Sequence, residues 1–93
     1  MKRNRQPSPE MLGRLAVNLR RLRRERGYTQ ERLGKLSGLP KNYISNIEQS
    51  TVNLTIANLE ALARGLNCGE ADLLTEGNEP PGASDRFNFG LKV

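Results

Sequence analysis

Residues 29–50, TQERLGKLSGLPKNYISNIEQS, contain two short helical patterns that flank a Ser-Gly turn. Thr29 is a good N-cap, so a first helix is predicted to cover residues 30–36. After the turn, Pro40 favours the first turn of a second helix over residues 41–49. The stretch therefore predicts two helices joined by a tight turn.

The second helix of this pair has two different faces when its residues are projected at about 100° each. One face carries Ile44, Ile47 and the Tyr43 ring, which can pack on a core. The opposite face carries hydrogen-bonding side chains with one positive and no negative charge: Lys41, Asn42, Ser45, Asn46 and Gln49. Such side chains bind base edges and phosphates in the major groove of DNA. The alternative interpretation is a solvated helix face.

Three further segments show apolar residues at helical spacing, so the whole pattern predicts an all-α fold. The five predicted helices cover residues 9–26, 30–36, 41–49, 56–66 and 69–75. The residues predicted to face the core include Leu15, Leu19, Leu22, Leu33, Leu36, Ile56, Leu59, Leu62 and Leu66. Gly34 lies inside the second of these five predicted helices, residues 30–36, where Gly costs about 1 kcal/mol relative to Ala. Its missing side chain would let the third helix approach closely.

The two ends of the chain differ from the helical part in composition. Residues 1–8 form a basic arm, residues 9–75 form the predicted domain, and residues 76–93 form a tail rich in Gly, Pro and polar residues. We expect little order in this tail. Apolar residues alternate within it from Phe87 to Val93, a pattern that fits either an edge strand or a docking tail.

The net charge of +5 is unevenly distributed along the chain. Residues 1–26 carry nine basic and two acidic side chains, whereas residues 57–93 carry three basic and six acidic ones. Such polarity favours binding of a polyanion at one face of the molecule. A basic helix that is merely solvated is an equally valid interpretation of charge alone.

Histidine is absent, and Cys68 is the single cysteine among 93 residues. The sequence therefore offers no intrachain disulfide, no cysteine-rich zinc site and no side chain that ordinarily titrates near neutral pH. We expect no enzymatic activity, no metal and no other cofactor. A lone cysteine fits a reducing cytoplasm. No run of about 18 apolar residues is present, so no membrane span is expected.

Several short motifs resemble the helix-turn-helix of phage repressor and Cro proteins, also called the xenobiotic-response-element-type family. The residues that carry the resemblance are Thr29-Gln30-Glu31, Leu33, Ser37-Gly38-Leu39, Tyr43-Ile44-Ser45, Ile47-Glu48 and Asn53-Leu54-Thr55-Ile56. Within the family, residues 43–66 are most similar to restriction–modification controller proteins. The resemblance covers about residues 11–75. It implies a compact five-helix, lambda-repressor-like DNA-binding domain with helices 2 and 3 as the helix-turn-helix.

The resemblance also implies a role for individual polar residues of the motif. The base-reading residues would be Lys41, Asn42, Ser45 and Asn46. The DNA phosphates would be bound by Gln30, Tyr43, Gln49, Thr51 and Asn53. Arg23 and Glu48 match a pair that forms an internal salt bridge between helices 1 and 3. The alternatives are a plain surface position for Gln30, pure packing for Tyr43 and a turn-organising role for Asn53.

Two positions depart from the pattern that the family usually shows. Ser50 stands where Gly is frequent, so the loop after helix 3 is less free to adopt a positive φ. Val52 stands where a cation is common, so we expect fewer phosphate contacts from this loop.

The function implied by the resemblance is sequence-specific binding of double-stranded DNA by a homodimer on a two-fold operator. The dimer would form through the outer side of helix 4 and through Leu73 and Leu74, unless these leucines simply close the monomer core. It would repress by covering a promoter or activate by touching RNA polymerase. The alternative function is an antitoxin that binds a toxin through residues 76–93 and regulates its own operon. RNA binding is disfavoured because exposed aromatic stacking residues are lacking.

Overall fold

The computed structural model describes residues 7–76, which form five α-helices and no strand. The helices are α1 Pro9–Glu25, α2 Gln30–Ser37, α3 Lys41–Glu48, α4 Ile56–Leu66 and α5 Glu70–Leu74. The predicted all-α, five-helix fold is thereby confirmed, and each predicted helix end lies within one residue of the observed one. None of the described helices is long and apolar enough to cross a membrane.

At both ends of the chain, most residues are outside the part that the structure describes. Residues 1–6, which make up most of the predicted basic arm, are among those not described. The same holds for residues 77–93, which include the alternating segment from Phe87 to Val93 and nearly all of the predicted tail.

Side-chain caps begin three of the helices. Ser8 Oγ accepts a hydrogen bond from the Met11 amide at 3.1 Å, which satisfies one of the amides that a helix start leaves free. Thr29 Oγ1 accepts from the Arg32 amide at 2.9 Å and begins α2 in the same way. Thr55 does this for α4. The turn between α2 and α3 is made by Gly38 with a φ of +73°, a conformation that only Gly adopts without a steric cost.

The core lies where α1 packs on α3 and α5, and where α2 packs on α3 and α4. The fully or almost fully buried residues are Leu15, Leu19, Leu22, Leu33, Ile44, Ile47, Leu59, Leu62, Leu66 and Leu73. Burial of these side chains is the main stabilising contribution to the fold, at roughly 1.5–3 kcal/mol each before conformational entropy is subtracted.

Two residues predicted to face the core are exposed instead. Leu36 is 39% exposed because the inward stripe of α2 runs through Leu33, Gly34 and Ser37, about a quarter turn away from Leu36. Ile56 is 74% exposed because it is the first residue of α4 and extends beyond the turn at which α4 packs on its neighbours. Both predictions of burial are therefore wrong.

Gly34 brings α2 and α3 close together, as the sequence predicts. A Cβ at this position would lie 2.6 Å from the carbonyl oxygen of Leu39 and 3.5 Å from the amide nitrogen of Lys41. Any larger residue would push the start of α3 away from α2. Gly34 thus sets the spacing within the helix-turn-helix.

Asn18 is a buried polar residue that the sequence patterns did not single out. Its Nδ2 donates to the carbonyl oxygens of Leu73 at 2.9 Å and Thr75 at 2.8 Å. These bonds attach the end of α5 to the middle of α1, which places Leu73 inside the core.

Candidate nucleic-acid interface

The third helix presents its polar side to the surface. Ile44 and Ile47 are at most 2% exposed and anchor α3 to the core. Lys41, Asn42 and Asn46 are exposed on the other side. The short helix is therefore fixed to the domain along one side and open along the other.

The exposed side chains of α3 have hydrogen-bonding groups available for a ligand. Within residues 7–76, no hydrogen bond of the structure engages the side chains of Lys41, Asn42 or Asn46. Ser45 is half-buried, and its Oγ accepts a long bond of 3.4 Å from Gln49 Nε2. Three of the four predicted base-reading residues thus share an open face, and Ser45 lies beside them.

Glu48, the last residue of α3, lies at the centre of a polar cluster. The residue is only 5% exposed. Arg23 donates to both of its carboxylate oxygens, from Nε at 2.7 Å and from Nη2 at 3.1 Å. Gln30 Nε2 donates to Glu48 Oε1 at 3.0 Å, and Arg20 Nε lies 3.7 Å from the same oxygen. The bidentate arginine contact has the geometry of a strong ion pair.

The cluster keeps the Glu48 carboxylate ionised. Burial on its own raises the pKa of this carboxyl, because the charged form loses its hydration. Hydrogen bonds from Arg23 and Gln30 and the charges of Arg23 and Arg20 outweigh burial, so the pKa of Glu48 lies below its ordinary value. A carboxylate with several donors is stabilised in this way.

Arg23 links α1 to the two ends of the helix-turn-helix. Besides Glu48, it bonds the Tyr28 carbonyl oxygen through Nη1 at 2.8 Å, in the linker between α1 and α2. The Arg23 side chain, which makes two bonds to Glu48 and one to Tyr28, is largely enclosed and only 11% exposed. The start of α2 and the end of α3 are therefore held by a single guanidinium.

Gln30 is half-buried at the first position of α2 and is engaged with Glu48. One amide hydrogen of its side chain makes this bond, and the first backbone amides of α2 have no partner inside the helix. Free amides at a helix start attract phosphate. The position of Gln30 is thus compatible with the predicted phosphate contact, and its bond to Glu48 is a second contact of the same side chain inside the protein.

The Tyr43 hydroxyl is engaged inside the protein. It donates to the Asn53 carbonyl oxygen at 3.0 Å and accepts from Asn58 Nδ2 at 3.0 Å. A phosphate contact would have to displace the bond to Asn53, so the structure favours the packing alternative for Tyr43. The same bond holds the backbone of the loop before α4, and the exposed Asn53 side chain remains available for either of its predicted roles.

The remaining predicted phosphate-binding residues lie on the loop after α3. Gln49, Thr51 and Asn53 are exposed. Thr51 Oγ1 donates to the Asn46 carbonyl oxygen at 3.1 Å, which holds the loop against α3. Ser50, at the family's frequent Gly position, adopts a φ of +60° in spite of its side chain.

The predicted dimer contact through Leu73 is wrong. Leu73 has no exposed surface within the monomer and therefore closes the core, which was the alternative. Leu74 is half-buried and lines an apolar groove of about 150 Å³ together with Leu54 and Ile56. Residues of α1 line the same groove, and Ile56 of α4 is its strongly exposed large apolar side chain.

Arg20 is a residue of this region that the sequence patterns did not assign. Its Nη2 donates to the Glu48 backbone carbonyl oxygen at 2.7 Å. It lies one turn before Arg23 on the same side of α1, and this i, i+3 spacing is the signal by which it could have been identified.

Comparison with known proteins agrees with this geometry. A family model described as helix-turn-helix matches residues 19–73. The control protein C.SmaI of Serratia marcescens is 39% identical over 61 residues, 66% of this chain and 73% of that protein. The HTH-type transcriptional regulator y4dJ of Sinorhizobium fredii is 39% identical over 64 residues, 69% of this chain and 83% of that protein.

A solved structure extends the agreement to the fold. The restriction-modification controller protein C.AhdI from Aeromonas hydrophila matches with a TM-score of 0.65 and 34% identity, covering 67% of this chain and 94% of that one. The resemblance to phage-repressor-type proteins and to controller proteins is confirmed. This chain belongs to the helix-turn-helix family and is a DNA-binding transcription regulator of that family.

Proposed function

We propose that this regulator binds a two-fold symmetric operator as a homodimer and acts as a controller of the restriction–modification type. The observation that carries the proposal is the open polar face of α3, opposite two isoleucines that are at most 2% exposed. A helix held in this way can enter the major groove while its apolar side stays packed on the core.

Base recognition is assigned to Lys41, Asn42, Ser45 and Asn46. A Lys ammonium can donate to O6 and N7 of guanine, and an Asn amide can bond adenine at two positions. Ser45 is short and half-buried, so it lets α3 lie deep in the groove. Each good base contact is worth about 1–3 kcal/mol of discrimination.

Phosphate contacts are assigned to residues at both ends of the helix-turn-helix. Gln30 and the free amides at the start of α2 lie at one end, and Gln49, Thr51 and Asn53 lie on the loop at the other. These neutral contacts fix the register of the protein on DNA. The basic residues of α1 add a general attraction that salt screens.

Dimerisation is assigned to the surface around Ile56. A single recognition helix reads few base pairs, and related modules gain affinity by placing two copies about 34 Å apart on successive turns of DNA. Ile56 is 74% exposed beside the groove lined by Leu54 and Leu74, which gives a second copy an apolar surface to cover. The dimer would repress by covering a promoter or activate by contacting RNA polymerase.

The test is selection of bound sequences from random duplex DNA at stated salt, followed by competition with unrelated duplex. We expect a two-fold symmetric consensus and a preference of at least about 10³ over competitor DNA. The Asn42→Ala variant should lose preference at one base position in each half-site. An absence of any preferred duplex would refute the proposal, and a preferred site without symmetry would refute the homodimer.

A further inference from the structure

The C-terminal end of α3 is closed mainly by its own backbone. The Ser50 amide donates to the Ile47 carbonyl oxygen at 2.9 Å, and the Thr51 amide donates to the Asn46 carbonyl oxygen at 3.0 Å. With a residue of positive φ between helix and loop, these two bonds form a Schellman ending. The residue of positive φ is Ser50 rather than Gly, so this ending carries a steric cost.

One carbonyl of this helix end needs a donor from outside. The amides of Gln49 and of the two residues after it serve the carbonyls of Ser45, Asn46 and Ile47. None of these three amides bonds the carbonyl oxygen of Glu48, which is the last residue of α3. Arg20 Nη2 on α1 donates to this oxygen at 2.7 Å, and its positive charge lies where the helix dipole is negative.

We propose that Arg20 is a positioning residue that closes the recognition helix from α1 and thereby raises the discrimination between operator and unrelated DNA. The proposal rests on the proposed function. Ser45 and Asn46 belong to the last turn of α3, so the order of this turn determines whether they meet base edges in a fixed register. Contacts to phosphate tolerate more misalignment, because they carry no sequence information.

The matched control is Arg21, the neighbouring arginine of α1. Its guanidinium makes only an exposed ion pair with Glu25 at 3.2 Å among the described residues. Arg20→Met and Arg21→Met remove the same charge from the same helix. Only the first removes a donor from the end of α3.

The experiment measures the affinity of the full chain for its selected operator and for unrelated duplex, across a range of salt. For Arg20→Met we expect the ratio of the two affinities to fall about tenfold, which corresponds to about 1.4 kcal/mol. The salt slope of Arg20→Met should match that of Arg21→Met, and Arg21→Met should retain the ratio. Adding Ser50→Gly to Arg20→Met should restore part of the ratio, because Gly removes the steric cost of the Schellman ending and so stabilises the same helix end.

Other outcomes would overturn the inference. An equal fall of the affinity ratio in Arg21→Met would show that the effect comes from the overall positive charge of α1. A salt slope smaller by about 0.9 than that of Arg21→Met would identify Arg20 as a direct phosphate contact. Circular dichroism checks folding, and Arg20→Lys, which keeps the charge and stem, serves as a second variant with an expected intermediate loss. If the unmodified chain shows no preferred duplex, the proposed function itself fails, which is a distinguishable result.

Discussion

Gln30 Nε2 lies 3.0 Å from Glu48 Oε1, so the first residue of α2 is bonded to the last residue of α3. Arg23 reaches the same carboxylate from α1. The buried carboxylate therefore fixes the ends of all three helices of the DNA-binding unit. Removal of this carboxylate should therefore lower the stability of the fold more than it changes the preference for a DNA sequence.

Glu48→Ala is expected to lower the free energy of unfolding by about 3–5 kcal/mol, because it strands the enclosed Arg23 charge. Urea denaturation followed by circular dichroism measures the effect. Glu25→Ala is the control, since the exposed Arg21–Glu25 pair should be worth no more than about 0.5 kcal/mol. An unchanged midpoint for Glu48→Ala would contradict the stabilising role of the cluster.

The pH dependence of stability should also report on Glu48. Its pKa is lowered in the folded state, so the unfolded chain binds the proton more readily. The resulting stabilisation is complete above the unfolded pKa of about 4.3 and is lost as the pH falls through the lower folded pKa. Between pH 6 and pH 3, the urea midpoint of the unmodified chain should fall more steeply than that of Glu48→Gln. Parallel curves would show that another group controls the acid transition.

Gly34→Ala should destabilise the protein by about 1–3 kcal/mol, as overpacking does in cores. The added methyl would meet the Leu39 carbonyl oxygen, a backbone atom that cannot move aside without shifting α3. Gly13→Ala in α1 is the matched control, because a Cβ there meets nothing within 4 Å. This change should instead stabilise by about 0.5–1 kcal/mol. Equal effects of the two variants would disprove the close approach.

The sequence predicted those features that local chemistry determines. The cap at Thr29 located the start of α2, and the periodicity of α3 separated its isoleucines from its polar residues. The pairing of Arg23 with Glu48, by contrast, came from the family resemblance, since no local rule joins residues 25 positions apart.

What the sequence could not predict depends on long-range packing. Leu73 looks like a surface leucine of a short helix until Asn18 draws the end of α5 onto α1. Ile56 fits the apolar stripe of α4, and only the extent of the neighbouring helices leaves it exposed. The i, i+3 spacing from Arg23 places Arg20 on the same side of α1, but residue types do not show that its partner is the backbone carbonyl of Glu48.

Ser50→Gly is expected to stabilise the protein by about 0.5–1 kcal/mol, because Gly adopts the observed φ of +60° without steric conflict. The change gives up only a 3.4 Å bond from Ser50 Oγ to the Leu12 carbonyl oxygen. Gly38→Ser is the reverse control, since Gly38 has a φ of +73° and should not tolerate a side chain as well. Thermal melts of both variants test the pair. A lower melting temperature for Ser50→Gly would mean that the hydroxyl contact outweighs the backbone strain.

Ile56→Asp should abolish self-association while leaving the monomer folded. The side chain is 74% exposed, so its replacement removes little internal packing, whereas a buried, unpaired carboxylate at a dimer contact is costly. Sedimentation velocity should then report a monomer at concentrations where we expect the unmodified chain to form the proposed dimer. Binding to the proposed two-fold operator should weaken, and the steep dependence on protein concentration that we expect of a dimer should be lost. Val17→Asp is the control, because Val17 is 43% exposed on α1 and away from the groove beside Ile56. A dimer that persists in Ile56→Asp, or one that Val17→Asp disrupts equally, would place the contact between copies elsewhere on the molecule.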